Sequence, residues 1–208
     1  MEKTVSTSET RKKLLDAALY VMRLKGFAAT TVDDICKAAG VTKGSFFHYF
    51  DTKEALAIAA ADYFGAMAAG LFGGAPYRSL PDPVDRLLGY VDFRVAILDG
   101  RLCDISCLLG TFVQELYDTH PAIRAAAERN MKQHVAGITK DVEEAKARYA
   151  PDAPWSPESL SFHMQAVLQG SLIYAKATLG TQIAAEALAH LRRYLELLFD
   201  RKPVTSDK

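Results

Sequence analysis

Apolar positions along this chain recur every three to four residues almost from end to end, and no stretch keeps the two-residue alternation of a strand. The pattern predicts nine helices with short connections, an all-α protein. The first is expected over residues 8–25, with Leu14, Leu15, Ala18, Leu19 and Met22 as its buried stripe and Gly26 as its C-cap. Thr31-Val32-Asp33-Asp34 opens the second as a capping box with Asp in the usual Glu place, and Gly40 ends it. A third, short helix begins at Thr42 and closes near Phe50, and a fourth runs from about residue 51 through an Ala-rich stretch toward Leu71. Glycines and prolines between Gly70 and Pro83 mark a loop, after which Asp82-Pro83 restarts a helix with an N-cap and a proline at the first position. That helix should end near Gly100. The next spans 104–118 and stops at His120-Pro121, a long amphipathic one reaches about Tyr149, and the last two cover 156–180 and 181–201.

Composition narrows this little: 50% of residues are apolar and 24% charged, as in an ordinary globular chain. The apolar runs are short and broken by charge, so no stretch of roughly 18 residues suited to a bilayer is expected. Met1-Glu2-Lys3 and the Thr and Ser that follow lack the apolar core of a signal peptide, which implies a cytoplasmic protein with no membrane partner. Three cysteines (Cys36, Cys103, Cys107) make no disulfide framework. The net charge is zero, but residues 1–53 hold nine Lys/Arg against six acids, leaving 16 basic and 19 acidic residues in the rest. A basic head on an acidic body suits an electrostatic footprint confined to one end.

Two short helices joined by Ala39-Gly40-Val41-Thr42, with a helix before them to pack against, form a helix-turn-helix. Gly40 supplies the left-handed turn, and Val32, Ile35, Ala39 and Val41 the small apolar wedge that sets the crossing angle. Thr42 caps the third helix, and Lys43, Gly44 and Ser45 form the first turn, the part that reaches base edges in a major groove. Phe46 and Phe50 are expected in the core, with Cys36 a small buried hydrophobe.

The run from Thr30-Thr31-Val32-Asp33-Asp34-Ile35 through Gly40-Val41-Thr42-Lys43-Gly44-Ser45-Phe46 and His48-Tyr49-Phe50 to Lys53-Glu54-Ala55-Leu56 resembles the TetR family of bacterial repressors, over about residues 8–57. The resemblance implies a DNA-binding domain at 1–52 and an effector-binding, dimerising domain at 53–208, with a palindromic duplex operator as partner. It assigns Thr42, Lys43, Gly44, Ser45, His48 and Tyr49 to DNA, with Thr31 and Lys53 as phosphate contacts. Phe47 departs from the family's usual Tyr, so one hydroxyl contact is missing.

Leu102 to Pro121 resembles a TetR subgroup that includes regulators of electrophile and acrylate metabolism. In its electrophile-responsive members a cysteine matching Cys107 is the sensor and a lysine matching Lys176 accompanies it. The residues agree in part. If one helix spans 104–118, Cys103, Cys107, Thr111 and Gln114 share a small or polar face, and Lys176 is an isolated charge in an apolar run. A nearby ammonium favours the reactive thiolate; against this, free cysteines are commonly inert packing and a lysine can snorkel to solvent. A noncovalent effector is the rival, a small acid or apolar molecule among Phe93, Phe112, Tyr117, Phe162 and Tyr174. Ala166, Gly170, Leu188, Leu191, Leu195 and Leu198 on the last two helices suit a four-helix dimer interface.

No glycine-rich phosphate loop, nucleophile elbow, metal-ligand cluster or paired catalytic carboxylates stands out, so neither an enzyme nor a cofactor is expected. Cys103 and Cys107 alone would need further ligands to hold a metal. A remaining alternative makes the body a protein-interaction module without a small ligand.

Overall fold

The structure is a computed structural model and describes residues 7–201. Among these there are no strands, ten α-helices and one 3₁₀ turn: α1 Thr7–Lys25, α2 Val32–Ala39, α3 Lys43–Tyr49, α4 Lys53–Gly73, the 3₁₀ turn Pro76–Ser79, α5 Pro83–Ala96, α6 Leu102–Ile105, α7 Leu108–Leu116, α8 Pro121–Tyr149, α9 Pro157–Thr178 and α10 Gln182–Leu198. The local signals that predict helix ends are realised. Asp82 caps α5 through its side chain and Ser156 caps α9, each followed by proline at the first position.

The chain divides into two compact units, Met1–Ala68 with Ser106–Met131, and Ala69–Ile105 with Lys132–Lys208. In the first, one apolar cluster joins α1 (Leu14, Ala18, Met22), α2 (Ile35), α3 (Phe46) and α4 (Leu56, Ala60) to Phe112 of α7 and Ile123 of α8. Each large side chain fully buried there stabilises the unit by about 1.5–3 kcal/mol relative to exposure. In the second, α10 packs on α9 and α5. Leu188, Leu191 and Leu195 of α10 are buried there, as are Leu160, Met164 and Leu168 of α9.

Four expectations are corrected. The segment 70–83 is not a plain loop: α4 continues to Gly73, and the 3₁₀ turn buries Tyr77 and pairs Arg78 with Asp141. Helix 104–118 is broken. Ser106 and Cys107 leave the helix, Cys107 has extended backbone (φ −78°, ψ 114°), and its sulfur accepts the Gly110 N–H as the N-cap of α7. Cys103 therefore shares no helical face with Cys107, Thr111 and Gln114. One apolar stretch does reach bilayer length: the 21 residues of α4 are long and apolar enough to cross a membrane by length and composition. Its Leu56, Ala57, Ala60 and Ala61 are instead core of the first unit, and Asp62 forms an ion pair with Arg129 at 2.6 Å. Finally, Leu191 and Leu195 fill the interior of their own unit, not a free face for a second chain.

Candidate DNA interface

Local chemistry fixes α2, the turn and α3 in order. Thr31 accepts the Asp34 N–H at 3.1 Å while the Asp34 carboxylate accepts the Thr31 N–H at 2.8 Å, closing the capping box. Lys25 also donates to that carboxylate at 2.7 Å, and these bonds hold Asp34 well below the usual carboxylate pKa. Gly40 takes φ 64°, ψ 37°, and the bonds from Gly40 N–H to Lys37 and from Val41 N–H to Cys36 are those of a Schellman turn. Thr42 then caps α3, its Oγ1 accepting the Ser45 N–H at 3.1 Å.

Phe46, fully buried, and Phe50 anchor α3 to the core, which turns the opposite face outward. Thr42, Lys43, Gly44, Phe47 and His48 are exposed there, while Ser45 and Tyr49 are half-buried and Thr31 is exposed at the start of α2. Lys43 donates to exposed Asp33 at 2.8 Å, a bond that raises its pKa and keeps it cationic. An exposed, solvent-screened pair of this kind contributes little, so a phosphate can replace Asp33 at small cost.

Lys53 lies elsewhere. Its ammonium donates to the carbonyls of Phe27 at 2.9 Å and Thr30 at 2.7 Å and sits 4.1 Å from the Phe27 ring centroid, and burial lowers its pKa. The Glu115 carboxylate of α7 accepts the N–H groups of Phe27 and Ala28 in the same loop, both at 2.7 Å. The loop that sets the start of α2 is thus held by a lysine and a glutamate distant in sequence. Gly26, at its entrance, has φ 82° and no room for a side chain beside Glu115. Sequence reasoning missed Glu115; the only local hint was a glycine followed by a loop with no cap of its own.

The expected effector residues fall in both units. Cys107 is half-buried at the start of α7 and Phe112 is fully buried in the first unit, touching Phe27 edge-on at a ring distance of 6.4 Å. Cys103 is buried in the second unit, where Lys176 is half-buried in the last turn of α9. Tyr174 and Phe162 are exposed on α9, and Tyr117 is exposed just past α7. Among the described residues no three His, Cys, Asp or Glu side chains gather as a metal site would need.

A polar cluster in the second unit was not foreseen. The Tyr90 hydroxyl accepts from Arg94 Nε at 2.9 Å and from Gln165 Nε2 at 2.6 Å, and lies 3.1 Å from His134 Nε2. Arg94 Nη2 donates to the same His134 nitrogen at 2.9 Å, and burial together with the Arg94 charge pushes the His134 pKa down to about 3. The histidine is neutral at pH 7, with its proton on Nδ1.

A helix-turn-helix braced by α1, with a polar face turned outward on the recognition helix, defines a DNA-binding transcription regulator. Comparison with known proteins agrees. Residues 14–60 match the family model of bacterial regulatory proteins of the tetR family, and residues 83–191 match that of the tetracyclin repressor-like C-terminal domain. The chain belongs to the TetR family. It is 27% identical over 173 residues to the HTH-type transcriptional repressor DhaR of Mycobacterium sp. strain GP1, covering 83% of this chain and 85% of that one. It is 24% identical over 193 residues to the repressor NemR of Escherichia coli K12, covering 90% and 94%. The solved regulatory protein TetR from Rhodobacter sphaeroides superposes with a TM-score of 0.78 at 25% identity, covering 88% of this chain and 97% of that one.

Proposed function

We propose that this chain is a cytoplasmic homodimeric repressor that binds a palindromic duplex operator through its 1–52 domain and is released when the 53–208 domain takes a small effector or reacts with an electrophile. The observation that carries the DNA reading is the outward face of α3, where Thr42, Lys43, Gly44 and His48 are exposed while Phe46 and Phe50 tie the helix down. Two such helices in one dimer enter successive major grooves roughly 34 Å apart. Thr31 sits beside them as a phosphate contact. Lys53 keeps the loop before α2 in place, and contributes to DNA binding through that loop.

The dimer surface in this reading is the exposed apolar stripe of α9 and α10: Phe162, Ile173, Tyr174, Ile183, Tyr194 and Leu197. A monomer gains nothing from leaving these side chains in water. Relatives are transcriptional repressors, and the same role without catalysis, cofactor or membrane is assigned here.

For release, Cys107 is the thiol of choice because Cys36 and Cys103 are buried while Cys107 is only half-buried.

The test of DNA binding is fluorescence anisotropy with the DNA flanking the gene's own promoter, for the wild type and Lys43→Ala across a salt series. Binding should weaken and the salt slope flatten by about one unit. Equal affinity at every salt concentration removes Lys43 from the interface.

A further inference from the structure

The second unit contains eight arginines, and seven of them (Arg78, Arg86, Arg101, Arg148, Arg192, Arg193, Arg201) have a carboxylate oxygen within 3.4 Å. Arg94 is the exception: among the described residues its partners are all neutral. It donates to the Tyr90 hydroxyl and to His134, and its guanidinium carbon lies 4.0 Å from the Phe72 ring centroid and 5.2 Å from that of Tyr90. Half-buried as it is, the cation is drawn out of water without the counter-charge given to every other arginine of the unit. A half-buried charge without its opposite costs stability, and an anionic ligand would supply the missing counter-charge.

The surrounding groups define that ligand. His134 is neutral, so the cluster carries a single positive charge and matches a monoanion; a phosphate dianion would leave one charge in excess. Arg94 Nε and one Nη2 proton are committed to Tyr90 and His134, which locks the guanidinium plane and leaves Nη1 and the second Nη2 proton to meet a planar carboxylate. Gln165 is held by the same Tyr90 hydroxyl through its nitrogen, which leaves its amide oxygen as an acceptor for a ligand hydroxyl. Around this polar centre lie aromatic rings: Phe72, Tyr77, Tyr90 and Phe93, with ring centroids 5.6–6.0 Å apart. Four rings and one fixed cation suit a small acid with an apolar or planar body.

We propose that the Arg94–Tyr90–His134–Gln165 cluster is the effector site of this regulator and takes a small monocarboxylate, the carboxylate pairing with Arg94 and the apolar body lying against Phe72 and Phe93. This rests on the reading of the C-terminal domain as effector-binding. It adds to that reading a noncovalent acid bound in the second unit, beside thiol modification at Cys107 in the first.

Calorimetry on the full chain with benzoate and its neutral isostere benzamide tests it. Benzoate should bind at least tenfold tighter than benzamide, and Arg94→Met should remove that preference. Arg94→Lys, which keeps the charge but loses the fork, should fall between. Should Arg94→Met fail to fold, the wild type still decides. The His134 ring resonance, assigned by its loss in His134→Gln, should move on adding benzoate and stay put with benzamide. Benzoate no tighter than benzamide, with an unmoved His134 resonance, overturns the site. Operator DNA measured in parallel separates the two proposals: intact DNA binding without benzoate preference sinks only the acid site, whereas loss of DNA binding in the wild type sinks the regulator reading itself.

Discussion

Gly26 has φ 82°, and a Cβ built on it would fall 2.8 Å from Oε2 of Glu115. Gly26→Ala therefore meets two separate obstacles. The left-handed backbone alone costs a non-glycine residue about 1–2 kcal/mol. The contact adds a second penalty, because Glu115 is held at 2.7 Å by the N–H groups of both Phe27 and Ala28 and must give up part of that geometry to make room. Hydrogen bonds to a charged group are worth about 1.5–3 kcal/mol when buried. Glu115 and Ala28 are exposed, so water recovers part of the loss and the pair together contributes about 2 kcal/mol. The single substitution should cost about 3–4 kcal/mol, whereas in a Glu115→Ala background, where the contact is already gone, it should cost only the backbone strain. Urea denaturation of the four proteins of this cycle measures the difference. A coupling of about 2 kcal/mol is expected, and additivity within about 0.5 kcal/mol would show that Glu115 does not grip this loop. Because the loop sets the start of α2, operator affinity should fall in both single variants even at temperatures where they remain folded.

Three further outcomes follow from the geometry. His134 has a folded pKa of about 3 against an unfolded value of 6.5, so the unfolded chain binds the extra proton; stability is complete above pH 6.5 and is lost as pH falls toward 3. Between pH 7 and pH 5 this amounts to about 2 kcal/mol in urea melts, and His134→Gln should flatten that slope. Ile173→Glu with Leu197→Glu should give a folded monomer in sedimentation, since both side chains are exposed in the protomer, whereas Leu195→Asp should unfold the domain; a double variant that still sediments as a dimer places the interface on another face. Brief maleimide treatment followed by mass spectrometry should label Cys107 ahead of buried Cys36 and Cys103, with release from DNA that Cys107→Ser abolishes; labelling at Cys36 or Cys103 with DNA still bound would end the thiol-sensor reading.

Helix ends and the helix-turn-helix were legible from the chain alone, because their causes act within five residues. Thr31 with Asp34, Gly40 with Lys37, Thr42 with Ser45 and Ser156 with Ser159 each satisfy a backbone group that the helix terminus leaves open, whatever lies beyond. The break at Ser106 and Cys107 was not legible, since neither proline nor glycine marks it and the apolar period runs through it. On α10 two apolar stripes compete, Leu191 and Leu195 on one and Tyr194 and Leu197 on the other, and periodicity gives no means of ranking them. Packing against α5 and α9 decided that the leucines 191 and 195 go inside and the other pair faces out. The same holds for charge. Lys53 reads as a phosphate ligand until the fold brings it to the carbonyls of Phe27 and Thr30, and Glu115 reads as surface until it reaches a loop 87 residues back. Arg94 is one arginine among many in the sequence; only the tertiary structure, by supplying carboxylates to the others of its unit and neutral groups to this one, sets it apart.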